Sequence, residues 1–315
     1  MKSDFDLSII VPFKDEVLML KRLLDGIKDQ KTKLSYEIIV LDSSEVSFES
    51  NFTSLDMIIR WIKIDPKTFN HGLTRNFGVE KALGKVLIFT VQDAVPCDEN
   101  WINHLANPIF DNLLDAVCGG QKPYPNKDTN PVEWHNPIEK PSIKIIDIGS
   151  HRFNELASID KAKYVGWDNV NSAYSRKKIL NVPFREMMFG EDAQWAVDAI
   201  INDLRIGYSG LSMVYHYHSF SLDFNIKRTL AEYYTKKKTI NLNPIEPKLK
   251  LRNILSWMKS IIYATKNPFK IIYWIYYNFK IFDANKKAFK IWSEKGVVGI
   301  EKYLIKNVPM SIHGK

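Results

Sequence analysis

The sequence predicts an α/β protein, with a mostly parallel sheet flanked by helices and a basic, aromatic helical extension behind it. Three observations lead there. Short β-rich runs alternate with helix-patterned segments over the first half, the pattern of parallel strands joined by crossover helices. Those strands end in Asp, Ser or turn residues, and the crevice beyond the carboxyl ends of an open α/β sheet is where ligands bind. Charge also divides along the chain: residues 1–224 hold 25 Lys+Arg against 31 Asp+Glu, and residues 225–315 hold 19 against 5. The expected domains are therefore 1–224 and 225–315. With 315 residues, 45% hydrophobic and 25% charged, and with 14 Gly and 14 Pro, disordered, fibrous and repeat architectures are excluded.

Leu7–Val11 (LSIIV) reads as a buried strand closed by Pro12. Helical spacing follows over Glu16–Lys28, at Leu20, Leu23, Leu24 and Ile27. Glu37–Leu41 (EIIVL) forms the next strand and ends at Asp42-Ser43-Ser44; Met57–Ile64 forms another. A helix over about Leu73–Leu83 leads into the strand Val86–Val91 and then Gln92-Asp93-Ala94-Val95-Pro96. A helix over about Glu99–Leu114 and a short strand Ala116–Cys118 complete that half. Residues 121–142 contain five prolines and read as a loop or lid. Pattern resumes with a strand near Asn171–Tyr174, a helix opened by Phe189-Gly190-Glu191-Asp192 and running to about Ile201, and a last strand Met213–Tyr217.

The tail differs in kind. Phe269–Phe282 has 11 apolar or aromatic residues in 14, fewer than the roughly 20 needed to span a bilayer. Its Trp and Tyr content, the flanking Lys, and Trp257 and Lys259 upstream suit a segment lying among anionic headgroups; a core helix of a small bundle is the equal alternative. The acidic main body does not offer the positive surface of a nucleic-acid enzyme, so no nucleic-acid partner is expected. The first sixteen residues hold only a five-residue apolar run with acidic flanks, so a cytoplasmic location is expected, peripheral at the inner face of the membrane. Cys97 and Cys118 provide neither a disulfide framework nor a zinc site.

Several polar residues fall where chemistry is done. Asp42 closes a strand at the sheet edge, where it could accept the imide N–H of a pyrimidine base; Asp-Ser-Ser is more often a turn or a helix cap. Asn70-His71-Gly72 with Arg75 one turn on reads as a diphosphate cradle at a helix N-terminus. Asp93 places a carboxylate at the crevice, where Mg²⁺ is held by one or two carboxylates together with substrate phosphates. Glu191 and Asp192 open a helix, and a base there could take a proton from an attacking hydroxyl. His216 and His218 alternate along the expected last strand and so share a face.

The order of these features resembles the family-2 glycosyltransferases of the GT-A fold, and among them the rhamnosyltransferase-like members of bacterial surface-polysaccharide synthesis. SIIVPFKDE is similar to the family's opening strand and turn, and EIIVLDSS to its base-binding strand. FNHGLTRNFGVEKALGKVLIFTVQDAVP is similar to the donor-site block, and GEDAQWAVDAI, IGYSG and VYHYHSFS to the acceptor half. The likeness covers roughly residues 5–224, with a nucleotide-sugar half of about 1–120 and an acceptor half of about 121–224. It implies that Pro12, Asp15 and Asp42 line the base and ribose pocket, that Arg75 faces the diphosphate, and that Gln92 and Asp93 complete the donor site. Val91 stands where the family's metal motif has its first acid, so a divalent cation (Mg²⁺ or Mn²⁺) would rest on Asp93 and His216. Asp192 is the implied catalytic base, with Glu191, Trp167 and Asn171 at the acceptor.

The implied activity is inverting transfer of a sugar, L-rhamnose from dTDP-L-rhamnose, to a hydroxyl of a lipid-linked glycan. Two rivals are a catalytically silent nucleotide-sugar-binding scaffold, which the substitution at Val91 would favour, and a nucleotidyltransferase. Against the second, SIIVPFKDE lacks a Gly-rich, Lys/Arg-containing signature.

Overall fold

The computed structural model describes residues 5–125, 127–133, 142–218 and 221–307. Residues 134–141 of the Pro-rich stretch, and Ser219 and Phe220 of VYHYHSFS, lie outside the described residues. The chain forms two compact units, Met1–Lys122 with Lys140–His216, and Pro123–Glu139 with Tyr217–Lys315.

Among the described residues the first unit is built on nine strands. In chain order its elements are β1 (Phe5–Phe13), α1 (Val17–Lys28), β2 (Tyr36–Asp42), β3 (Ile59–Lys63), α2 (His71–Lys81), β4 (Gly84–Thr90), β5 (Val95–Pro96) and α3 (Trp101–Phe110). Then come β6 (Ala116–Lys122), β7 (Ile143–Ile145), α4 (Ser150–Glu155), α5 (Ser158–Lys161), β8 (Asn171–Ser175), α6 (Arg176–Asn181), α7 (Glu191–Ile201) and β9 (Ile206–Tyr215). The sheet order is β3-β2-β1-β4-β8-β6-β9-β5, with β7 added on β9. Strands β3, β2, β1 and β4 are mutually parallel. β8 then runs antiparallel to both β4 and β6. Connections leave β1 towards β2 on one side and β4 on the other, so the ends of β1 and β4 form the switch point where α/β sheets open a binding crevice.

Helix α1 buries Leu20, Leu23, Leu24 and Ile27, the stripe its spacing predicts, against Ile9, Val11, Ile38 and Val40 of the central strands. Other boundaries differ from expectation. Helix α2 starts two residues early, because the Asn70 side chain accepts from Gly72 and Leu73 N–H and caps it there. β6 runs on to Lys122 because Gln121 and Lys122 pair with Val214 and Tyr215 after a register shift between Cys118 and Gly120. β9 is ten residues long and ends at Tyr215. His216 and His218 therefore lie beyond the strand, and alternation along it does not place them.

The second unit holds α8 (Leu222–Ile240), α9 (Leu251–Ala264) and α10 (Pro268–Asn307). Helix α10 is interrupted at Gly296, whose φ of 61° and ψ of −179° belong to a region open essentially to glycine alone. Part of the stretch expected as a loop of the acceptor half packs with these helices instead. Asn130 and Asn278 exchange buried amide hydrogen bonds at 3.0 and 2.9 Å, and Lys270 pairs with Asp128 at 3.1 Å.

Candidate active site

Beyond the ends of β1 and β2 the chain gathers polar and aromatic side chains. Asp42 is fully buried, and its carboxylate accepts from the Trp61 indole N–H (3.0 Å), the Ser44 backbone N–H (2.8 Å) and the Lys63 ammonium (3.3 Å). Three of its roughly four acceptor positions are thus taken within the protein. Trp61 stacks on Phe52 with ring centroids 5.4 Å apart and meets Phe13 edge-on at 5.3 Å. Pro12 is buried in β1 opposite Leu41. Asp15 stands exposed after β1 at φ 57°, held by its N–H to Ser44 Oγ at 2.8 Å.

Gln92 is expected in the donor site, yet its amide is spent on the fold. Its Oε1 accepts from Lys14 N–H at 2.8 Å and its Nε2 donates to Lys14 O at 3.2 Å, tying the end of β4 to the end of β1. One residue on, Asp93 Oδ1 lies 3.5 Å from His216 Nε2, both side chains 14% exposed. The neighbours of His216 determine its tautomer. Gln121 Nε2 donates to Asp168 Oδ2 at 2.8 Å, so Gln121 Oε1 faces His216 Nδ1, 2.7 Å away, and can only accept. Nδ1 therefore carries the proton and Nε2 is directed at Asp93. One carboxylate oxygen and one imidazole nitrogen turned towards each other suit a divalent cation, and the Asp168–Gln121–His216 chain is the outer support that fixes a histidine ligand.

The acids at the start of α7 divide into two roles. Gly190, at φ 75°, turns the chain into the helix. Glu191 is buried and forms an ion pair with buried Arg75. This corrects the expectation for both: Arg75 is directed at Glu191 rather than open to a diphosphate, and Glu191 is committed to Arg75 rather than to an acceptor. The whole Asn70–Asn76 block is a brace of the same kind. Asn70 Nδ2 donates to Met187 O at 2.9 Å; Asn76 Nδ2 donates to Phe184 O at 2.8 Å and its Oδ1 accepts from Phe184 N–H at 3.1 Å. Gly72 lies so close that an added Cβ would sit 2.5 Å from Arg185 O. What reads as an anion cradle thus docks α2 against the segment leading into α7.

Asp192 keeps partial exposure, and the Ala193 N–H donates to its Oδ1 at 2.7 Å. Burial of the carboxyl, reinforced by the negative charges of Glu191 and Asp168, pushes its pKa up to about 8 against the pull of Arg75. Asp168 is itself raised by burial, with Gln121 and His216 pulling the other way. Asp168 thus acts electrostatically on both the base candidate and the histidine ligand, and the sequence reading missed it together with Gln121. The only signal was position: Asp168 sits in the Gly-Trp-Asp-Asn turn before β8, between two residues that had been singled out.

Those two, Trp167 and Asn171, are corrections. Trp167 is buried, donates its indole N–H to the Tyr174 hydroxyl at 2.6 Å, and packs on Trp195 with centroids 5.4 Å apart. Asn171 is fully buried: its Oδ1 accepts from the Trp101 indole at 2.8 Å, and its Nδ2 donates to Gly120 O at 2.9 Å and Ser212 O at 3.1 Å. Both hold the sheet together rather than face an acceptor.

Comparison with known proteins agrees with this architecture. Residues 8–164 match the family model for Glycosyl transferase family 2. The O-antigen chain rhamnosyltransferase RfbN of Salmonella typhimurium is 32% identical over 221 residues, which is 68% of this chain and 67% of that protein. The mannosyltransferase PcManGT of Pyrobaculum calidifontis, solved with GDP-Man and Mn²⁺, superposes with a TM-score of 0.56 at 13% identity, covering 96% of this chain and 88% of that one. S. aureus TarS 1-349, solved with UDP-GlcNAc, gives 0.53 at 13% identity and 92% of each chain. At such identities these structures speak for the fold, which is GT-A. The class is therefore a nucleotide-sugar-dependent glycosyltransferase. The chain belongs to glycosyl transferase family 2.

Proposed function

We propose that this enzyme transfers L-rhamnose from dTDP-L-rhamnose to a hydroxyl of a lipid-linked glycan during O-antigen synthesis at the inner face of the cytoplasmic membrane, with inversion at the anomeric carbon. The rhamnosyl group and the O-antigen pathway follow the names of the rhamnosyltransferase relatives. The observation that carries the chemistry is the position of Asp168, which couples Asp192 on one side to the His216–Asp93 pair on the other.

In this reading the acceptor hydroxyl attacks the anomeric carbon as its proton passes to an Asp192 carboxylate oxygen. The bond to the diphosphate oxygen breaks on the opposite face, and the nucleoside diphosphate leaves. Asp192 must be ionised to serve, so the raised pKa makes it a strong base at the cost of a smaller active fraction at neutral pH. Arg75 holds that balance: its charge opposes the upward shift while it neutralises Glu191 beside the base. Asp93 and His216 would hold a Mg²⁺ or Mn²⁺ ion, which supplies charge neutralisation for the leaving diphosphate. Asp15 and the partly exposed Trp61, which the buried Asp42 carboxylate holds in place, would receive the nucleoside.

Donor hydrolysis without acceptor, measured for dTDP-L-rhamnose, UDP-GlcNAc and GDP-Man, tests the reading. Turnover confined to dTDP-L-rhamnose is expected. A preference for either other donor removes the rhamnosyl assignment, and hydrolysis of none with no protection against thermal unfolding removes the donor site.

A further inference from the structure

Helix α9 lacks cover on one face. Leu251, Leu255, Met258 and Ile262 are spaced four, three and four residues apart, which at 3.6 residues per turn puts them on a single stripe. All four are exposed, Leu251 by 71% and Ile262 by 53%. A second exposed set opens α10, where Phe269 is 81% exposed and Ile272, Tyr273 and Tyr276 follow at helical spacing. Of the aromatic residues picked out from sequence, the two tryptophans are not among the exposed ones: Trp274 is 6% exposed, and Trp257 packs edge-on to Phe279 at 5.9 Å. Beside the stripe, the other side of α9 lines a cleft of about 730 Å³ with Lys259, Ser260 and Tyr263, which Lys127 and the Lys270–Asp128 ion pair join from the rest of the unit.

We propose that the α9 stripe and the opening turns of α10 are the surface by which this protein lies on an anionic lipid bilayer, with the cleft lysines meeting lipid phosphates. Three facts select this occupant. Helix α9 has 14 residues, about 21 Å of helix, and among the described residues no helix is long and apolar enough to cross a membrane, so the stripe lies along a bilayer rather than through it. Residues 225–315 carry 19 basic against 5 acidic side chains, and α9 itself has Arg252 and Lys259 and no acid. That charge matches anionic headgroups and would repel a second copy of the same face. Apolar centre, basic flanks and aromatic edges together are the layout of an interfacial helix, whose lysine and arginine stems lie along the apolar surface while their charges reach headgroups. The proposal deepens the lipid-linked reading of the acceptor by naming the surface that reaches it.

The test uses the full chain with vesicles of 70% phosphatidylcholine and 30% phosphatidylglycerol, compared with phosphatidylcholine alone. Parent protein is expected to sediment with the anionic vesicles, more weakly as salt rises, and to gain amide-exchange protection over 251–276. The double variant Leu255→Glu/Ile262→Glu, whose positions are solvent-exposed in the protein, is expected to partition about 100-fold less, and Lys127→Glu/Lys259→Glu to lose the preference for anionic lipid. Equal partitioning of the apolar variant and parent, vesicle binding with no protection over 251–276, or concentration-dependent self-association in place of vesicle binding each overturns the proposal. Protection in the parent decides the matter without relying on a variant's fold. Transfer to a glycan freed from its lipid, assayed without vesicles, tests the enzymatic reading separately.

Discussion

Replacing Gln121 by Leu removes one amide and should disturb two sites in opposite directions. The amide accepts from His216 Nδ1–H at 2.7 Å and donates to Asp168 Oδ2 at 2.8 Å. Without the first bond, Nε2 is no longer held as the nitrogen facing Asp93; loss of such an outer partner costs metal affinity about 10- to 100-fold, or about 1.4–2.8 kcal/mol. Without the second bond, Asp168 loses the foremost interaction that opposes its burial, and its carboxyl shifts further towards the neutral form. A less ionised Asp168 repels charge on Asp192 less, so the Asp192 pKa moves down from its raised value. The variant should therefore bind Mn²⁺ more weakly, read by electron paramagnetic resonance titration with nucleoside diphosphate present. At saturating metal, its acid limb of rate against pH should move to lower pH. A merely destabilised protein would lose affinity without moving that limb. Unchanged Mn²⁺ affinity together with an unmoved limb would refute the Asp168–Gln121–His216 chain.

Asp192→Asn should lower transfer about 100- to 10,000-fold while donor affinity stays within a few-fold, since the base acts on the acceptor; comparable turnover would eliminate Asp192 as the base. In the parent, rate should rise with pH through a limb near the raised pKa of about 8, and a limb near the ordinary carboxylate value would argue against that environment. The same shift is a stability statement: between the unfolded value near 3.8 and about 8 the folded state holds the extra proton, so stability declines as pH rises through that window. Melting temperatures of Asp192→Asn and parent should accordingly diverge in favour of the variant from pH 5 to pH 8. Arg75→Ala should cost about 3–5 kcal/mol in denaturant unfolding by leaving Glu191 buried without its partner, whereas Arg75→Met with Glu191→Met should restore most of it. Equal loss in the single and double variants would show that the pair contributes through packing alone.

Local patterning determined much of this protein. The stripe on α1, the apolar runs of β1, β2 and β4, and the acids that close them are short-range signals, because a side chain's face follows from the period of its own helix or strand. The positions of Asp93 and Asp192, just past a strand end and at a helix start, were legible for the same reason. What a side chain meets across the fold has no such signature. Arg75 and Glu191 are 116 residues apart, and nothing local distinguishes an arginine that binds a diphosphate from one that neutralises a buried glutamate. Trp167 and Asn171 are polar enough to suggest an acceptor site, yet tertiary packing consumed their hydrogen bonds in the core, since buried donors and acceptors must find partners. His216 was named for a strand it does not belong to, and only the fold brings Gln121 and Asp168 behind it to orient its ring. On α9 the sequence reading named only Trp257 and Lys259, and only the packed structure decides which apolar side chains remain uncovered.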